Sequence, residues 1–447
     1  MKKAIQVSVL LVLLGLAACR KMIETGMPLT EITTDKLFGS EASVTAYLND
    51  TYSHLQVLSA YITPSLGLYT DEMLNGSPNI ADIEFAAGRV TAGNSTLSNC
   101  WKELYTIIYQ SNDILNHLDV STVVPQSAKK TLMGEAWFLR ALAYHYLVQL
   151  WGDVPLVLTT EVEKNARIGR SAMSSVFDQI RKDLDSSIVN LNESYGPGGP
   201  VRANKWAAMA LMARIALQEG DYMLARDYSG TVLGSVAYSL NSQVSEVFVS
   251  SSTETILACW DEFGNVREAG FFLPDTGLVP SYPLRKSLVQ LYDSNDIRRV
   301  SWINSIQIKD SVFYYPFKYE NKLPGNRQEW LVVLRLAEQF LIHAESAARL
   351  NDIDKAIADL NLVRARAGLA GIGNGYSQEE LLKMIQEERQ KELIAEWGTR
   401  FFDLKRNGRI DQINQSFKKD WLPSNALLPI PLYEIQSNPS MTQNPGY

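Results

Sequence analysis

The chain has 447 residues, 46% of them hydrophobic and 20% charged, a balance that builds a large globular core and excludes a disordered or fibrous polypeptide. A formal net charge of −7, with no basic stripe, excludes a nucleic-acid footprint. The 9 Trp and 20 Tyr are the side chains that stack on flat apolar ligand faces, although a large helical core holds many of the same rings.

Residues 1–18 read as a secretory signal. Lys2 and Lys3 precede the apolar run VSVLLVLLGLAA, which falls short of the ~20 residues a spanning helix needs. Leu16-Ala17-Ala18-Cys19 resembles the lipobox of bacterial lipoproteins, so cleavage is expected before Cys19 and acylation on its sulfur. Each buried acyl methylene contributes ~0.8 kcal/mol, and several chains together make the anchor effectively permanent. Losing Lys2 and Lys3 leaves 40 basic against 49 acidic residues and a mature charge of −9. Residues 19–34 are polar and unpatterned and read as a tether to a single domain over 35–447. Cys100 and Cys259 remain, and two cysteines give no spacing that decides whether they pair. His54, His117, His145 and His343 form no ligand-spaced motif, so neither metal nor cofactor is expected.

Asp35 to Leu58 predicts a helix, with an apolar face from Phe38 to Tyr52. Tyr61 to Ser98 then loses periodicity and fills with Gly, Asn, Ser, Thr and Pro, which predicts a long loop, and long loops tend to be functional. Further helices are expected at Trp101–Asp119, Ala128–Trp151, Ser171–Leu191, Lys205–Gln218 and Tyr222–Leu233, with a hard break at Gly196-Pro197-Gly198-Gly199-Pro200. The helix ending at Trp151 is apolar on all sides: Leu132, Ala136, Leu139, Ala143, Leu147 and Leu150 form one stripe, and Trp137, Phe138, Leu142, Tyr144, Tyr146, Val148 and Trp151 fill the rest. That predicts a central helix packed from several directions and stopped by Gly152 and Pro155. Arg140 within it must be met by a carboxylate or by helix C-terminal carbonyls from a distant segment.

Between Leu240 and Asn326 the character changes. Glu254 to Trp260 is strand-like and Phe271 to Pro283 is rich in aromatics, Gly and Pro, so an irregular insertion is expected. Helices resume at Glu329–Leu350, Ile353–Ala367 and Gln378–Glu396. Long helices in pairs joined by short turns predict a mainly α protein of tetratricopeptide-type helix pairs, with loop-rich regions at about 61–100 and 240–326 carrying the binding face. The proline-marked tail, Ile430-Pro431 onward, is expected to strap across the central helix.

Four segments carry a family resemblance: EAWFLRALAYHYLVQLWGDVPL from Glu135, RLAEQFLIHAESAARL from Arg335, ERQKELIAEWGTRFFDLKR from Glu388, and the tail from Leu428 ending NPSMTQNPGY. With the lipoprotein signal, they resemble, in order and from end to end, the SusD/RagB family of nutrient-binding lipoproteins of Bacteroidetes-type outer membranes. The resemblance implies a SusD-like fold, lipid anchoring at the cell surface, non-catalytic capture of an oligosaccharide, and delivery to a SusC-like TonB-dependent transporter. Arg20 and Lys21 depart from it, since surface-exported relatives often carry acidic residues there. The RagB branch implies peptide as an alternative ligand. A glycoside hydrolase and a scaffold contacting only proteins are the readings from other classes.

The chain lacks G-x-S-x-G, G-x-x-x-x-G-K-[ST], H-E-x-x-H and paired C-x-x-C motifs, and Gly371-Ile372-Gly373-Asn374-Gly375 has the wrong spacing for a dinucleotide site. Glu388, Glu392 and Glu396 share one helix face, but the basic residues among them predict ion pairing, not acid–base chemistry, and the resemblance places them in a structural motif. Sugar rings present apolar C–H faces edged by hydroxyls, so a glycan site wants Trp or Tyr platforms ringed by polar side chains. Tyr69, Asp71, Glu72 and Asn75 in LYTDEMLN supply that mixture, and relatives often carry a similar T-D-E segment. Trp260, Phe271, Phe272 and Tyr282 supply it again, with Trp302, Tyr314 and Tyr315 as later candidates. Trp101 lies in a W-x-x-x-Y helix resembling an early family helix, mainly structural, with one edge able to reach a site.

Overall fold

The computed structural model describes residues 34–325 and 327–447. The expected signal peptide, the expected lipidation site at Cys19 and all of the expected tether but Thr34 lie outside the described residues.

Ten helices organise the fold: α1 (Glu41–Tyr69), α2 (Ser95–Val120), α3 (Gln126–Trp151), α4 (Met173–Asn190), α5 (Lys205–Glu219), α6 (Tyr222–Leu233), α7 (Leu336–Arg349), α8 (Ile353–Arg366), α9 (Gln378–Glu392) and α10 (Thr399–Arg406). From α1 to α8 each packs on its successor in that series, and α9 packs on α7. Capping side chains fix their starts. Ser40 accepts from the Ser43 amide, Asn94 from Leu97 and Asn204 from Ala207, while Ser377 and Glu380 form a reciprocal capping box. The protein is mainly helical, as expected.

Helix α3 is the centre. Its residues from Glu135 to Trp151 are buried apart from Trp137, because successive helices cover it on both sides. Gly152 stops it at φ 74°, where a β-carbon would press on Leu427. Arg140 finds its carboxylate: Nε and Nη2 donate to Asp183 at 2.8 and 2.6 Å, and Nη1 donates to Asn112 at 2.7 Å, so one guanidinium joins α2, α3 and α4. The tail lies over the end of α3. Leu428 N donates to Leu150 O at 2.8 Å, Trp151 Nε1 donates to Pro429 O at 2.8 Å, and Asn444 Nδ2 reaches the carbonyls of Trp151 and Leu428.

Two sequence expectations fail here. Residues 61–98 are not one long loop: α1 continues to Tyr69 through Pro64, a short helix spans Ile80–Ala87, and α2 begins at Ser95. The periodicity fades because the end of α1 is enclosed on all sides and packs small residues. A β-carbon on Gly67 would meet Met73 Sδ at 2.5 Å, and Ser59, Thr63 and Ser65 are buried. The helix expected from Glu329 starts instead at Leu336. Its first residues form strand β4 (Leu331–Arg335), antiparallel to β1 (Thr255–Cys259), and every position of both strands is buried. A continuous apolar run suits a strand buried on both faces as well as it suits a helix. A separate hairpin pairs β2 (Ile303–Ile308) with β3 (Ser311–Pro316).

Candidate functional site

The two regions expected to carry the binding face come together at the end of α1. Leu74 N donates to Pro283 O at 2.7 Å, Gly76 N to Ser281 O at 2.9 Å and Arg285 N to Glu72 O at 2.9 Å, so residues 72–76 and 281–285 run as a tied pair of extended segments. Gly76 is required, since a β-carbon there would lie 2.2 Å from Pro280 O. Asn75 closes a local turn onto Ser77, and Asp71 is gripped by Arg400 through two bonds of 2.8 and 2.7 Å. Tyr282 donates its hydroxyl to Asp82 at 3.0 Å and meets Phe271 and Phe272 edge-on, with ring centroids 6.1 Å away. Burial, then the Asp82 charge, push the Tyr282 phenol up. Phe271 and Tyr282 are half-buried, and Ile80, Ile83 and Leu278, on the same two stretches of chain, are exposed.

A second concavity opens on the flank of α1. The β1–β4 ladder ends with Cys259 paired to Leu331, and the residues that flank this last pair, Trp260 and Trp330, line the same cleft. Trp260 is 56% exposed, and its carbonyl accepts from Gln56 Nε2 at 2.5 Å. The two indoles face Asn49, Tyr52, Ser53 and Gln56, positions i, i+3, i+4 and i+7 of α1, across a cleft of about 560 Å³. Arg202 borders it, with its guanidinium committed to the buried Glu135 at 2.8 and 2.7 Å. The cleft therefore offers indole faces, neutral amides and hydroxyls, and no unpaired cation.

Other expected site residues point inward. Tyr69 is fully buried and donates its hydroxyl to Asn425 O at 2.9 Å. Glu72 is buried, and burial followed by the Asp71 charge pushes its carboxyl up to about 7. Trp101 packs edge-to-face on Trp151 at 5.1 Å. Trp302 donates Nε1 to Val244 O inside the core, Tyr315 is buried and Tyr314 half-buried. The LYTDEMLN segment thus builds the floor of the loop face, with Asn75 at its edge. Sequence reasoning missed Trp330, Gln56 and Asp82. The signal for Trp330 was available only through the strand pairing, which joins residues some seventy positions apart.

The carboxylates expected to be ion-paired are paired, with Glu388 and Glu392 fully buried and Glu396 partly so. Glu392 meets Arg298 at 2.8 Å, Arg335 at 2.6 Å and Arg366. Glu396 meets Arg335 at 2.8 Å and Lys318, and Glu388 meets Arg298 at 2.6 Å. Burial alone would raise the Glu392 carboxyl, but the Arg366, Arg335 and Arg298 guanidiniums hold it well below the usual carboxylate range. Saturated by cations and closed to solvent, this cluster is structural.

A helical-repeat scaffold carrying a loop face and an indole cleft defines the class, and similarity to known proteins supplies the family. Residues 31–217 match the family model described as "Starch-binding associating with outer membrane", and residues 303–447 match that of the SusD family. The SusD-like protein P25 of Formosa agariphila is 25% identical, over 96% of this chain and 97% of its own. Among solved structures, a SusD superfamily protein from Bacteroides vulgatus superposes with TM-score 0.80 at 18% identity, covering 91% of this chain and 99% of that one. A laminarin-binding SusD-like protein gives 0.78 at 24% identity, with 91% and 99% covered. The chain belongs to the SusD/RagB family.

Proposed function

We propose that this protein is a non-catalytic carbohydrate receptor of the outer membrane, anchored through lipid on Cys19, that captures an oligosaccharide and passes it to a SusC-like TonB-dependent transporter. The observation that carries this reading is the Trp260–Trp330 pair set over the amide and hydroxyl row of α1. Indole faces take the C–H face of a sugar ring while Asn49, Ser53 and Gln56 meet its hydroxyls, a division of labour that suits a neutral saccharide. Phe271, Tyr282 and Asn75, at the loop face, form a second part of the surface offered to ligand. The family descriptions favour the same ligand class. Non-catalysis is supported by the saturated state of the Glu388, Glu392 and Glu396 cluster, which leaves none of the three free as an acid or base.

Native affinity electrophoresis through gels containing starch, laminarin, xylan, mannan, pectin or mucin glycans tests the reading. Retention by at least one polymer, reduced in Trp260→Ala, is expected. Wild-type mobility unchanged in every gel, with retention by peptide ligands instead, would replace saccharide by peptide.

A further inference from the structure

We infer that the protein has a second carbohydrate site, a tyrosine-walled groove between α2 and the C-terminal tail, distinct from the Trp260 cleft; the inference rests on the carbohydrate reading above. Trp101, Tyr105 and Tyr109 recur at four-residue steps and form one stripe along α2. The opposite wall is the short helix Leu432–Ser437, which holds Tyr433 73% exposed over a floor that includes Pro431 and Met441. Tyr109 is 48% exposed, whereas Tyr105 is fixed by donating its hydroxyl to Pro155 O at 2.9 Å. The groove encloses about 670 Å³. That is the size of a small-ligand site of ~300–1,000 Å³, whereas a stable protein partner needs ~800 Å² of surface on each side.

The rim decides the chemistry. Lys102 and Glu434 contribute one charge of each sign, and Asn99 adds an amide, so the groove selects neither an anionic nor a cationic chain. Tyrosine faces with neutral and mixed-sign hydrogen-bonding groups at their edges match a neutral sugar. Position supports the assignment too. Helices α1 and α2 are joined by His54–Glu103 at 2.6 Å and Gln110–Asp50 at 2.9 Å, with the cleft on the far flank of α1 and the groove on the far flank of α2. From helix spacing and side-chain reach the two stand roughly 20 Å apart. One extended polysaccharide bound at both gains by raised effective concentration at the second site.

Isothermal titration of the detergent-solubilised full-length protein tests this, using the polysaccharide that retains it in the gel panel and short oligosaccharides prepared from that polymer. Two equivalents of the short oligosaccharide are expected per chain. Tyr109→Ala combined with Tyr433→Ala should leave one, and should weaken polymer binding about ten-fold. Both rings are exposed, so the double variant keeps the fold, which a thermal melt verifies. One equivalent in the wild type, or unchanged stoichiometry and polymer affinity in the double variant, overturns the second site while leaving the carbohydrate reading intact. Absence of binding to every polymer removes both.

Discussion

The α9 carboxylates and the β1–β4 indoles set two regions of one molecule against each other. Around Glu392 every charge is matched: Arg298, Arg335 and Arg366 converge on one buried carboxylate, and Trp302 is sealed beneath them with Lys318 Nζ 4.5 Å from its ring. Beside Trp260 the charges are paired too, Arg202 with Glu135, but an indole that folding would ordinarily bury stands 56% open to solvent. Residue type does not separate the two regions, since each holds Trp, Arg and Glu. Saturation does: the buried charges around Glu392 find their partners within the chain, whereas the proposed binding surface leaves the Trp260 indole open to solvent.

Breaking the saturated side should have the largest effect. Glu392→Ala leaves three buried guanidiniums short of a counter-ion, for which ~3–5 kcal/mol of lost stability is expected. A chemical melt of the variant within 1 kcal/mol of wild type would show the cluster to be dispensable.

Glu268 sharpens the contrast, because it is a buried carboxyl without a cation. Its hydrogen-bond partner is Ser59, and burial pushes it up from 4.5 to about 7. Between those pH values the folded protein holds a proton that the unfolded chain has released. Stability from this group is therefore full below pH 4.5, falls as pH rises towards 7, and levels off above. Glu268→Gln should match wild type at pH 4 and gain up to about 3 kcal/mol at pH 8. Equal melts at both pH values would contradict this.

On the unsaturated side, Trp260→Ala should weaken saccharide binding by at least ten-fold, about 1.4 kcal/mol, while shifting unfolding by less than about 0.5 kcal/mol. Equal losses of binding and stability would place Trp260 in the scaffold. Deleting residues 443–447 removes the Asn444 bonds to Trp151 and Leu428, and a loss of about 2 kcal/mol is expected in the same melt. Cys100 and Cys259 are buried free thiols, so reductant should leave the melting temperature unchanged.

The legible parts of the fold were those where one pattern dominates. Helix α3 announced its burial by being apolar all round, Gly152 announced its end, and Arg140 announced a partner that proved to be Asp183. The end of α1 was illegible because close packing replaced its apolar period with Ser, Thr and Gly. Residues 80–87 hold too few turns to show a period, although Asn79 caps the start and Gly88 ends it at φ 73°. At the site, Trp260 could be singled out as an aromatic leaving a strand. Trp330 could not, because the strand that follows it was hidden in a run that also suits a helix, and strand pairing at long separation leaves no local mark. Tyr69 and Trp101 have the composition of binding residues and the surroundings of core residues, a difference set by neighbours remote in sequence.

The most direct test follows calorimetry and reducing ends in one sample: the retaining polysaccharide titrated into wild type and into Trp260→Ala/Trp330→Ala. Saccharide capture without chemistry at the indole pair predicts saturable heat in wild type, strongly weakened in the double variant, with no new reducing ends in either. Undiminished affinity in the double variant, or reducing ends that accumulate with time, would contradict it.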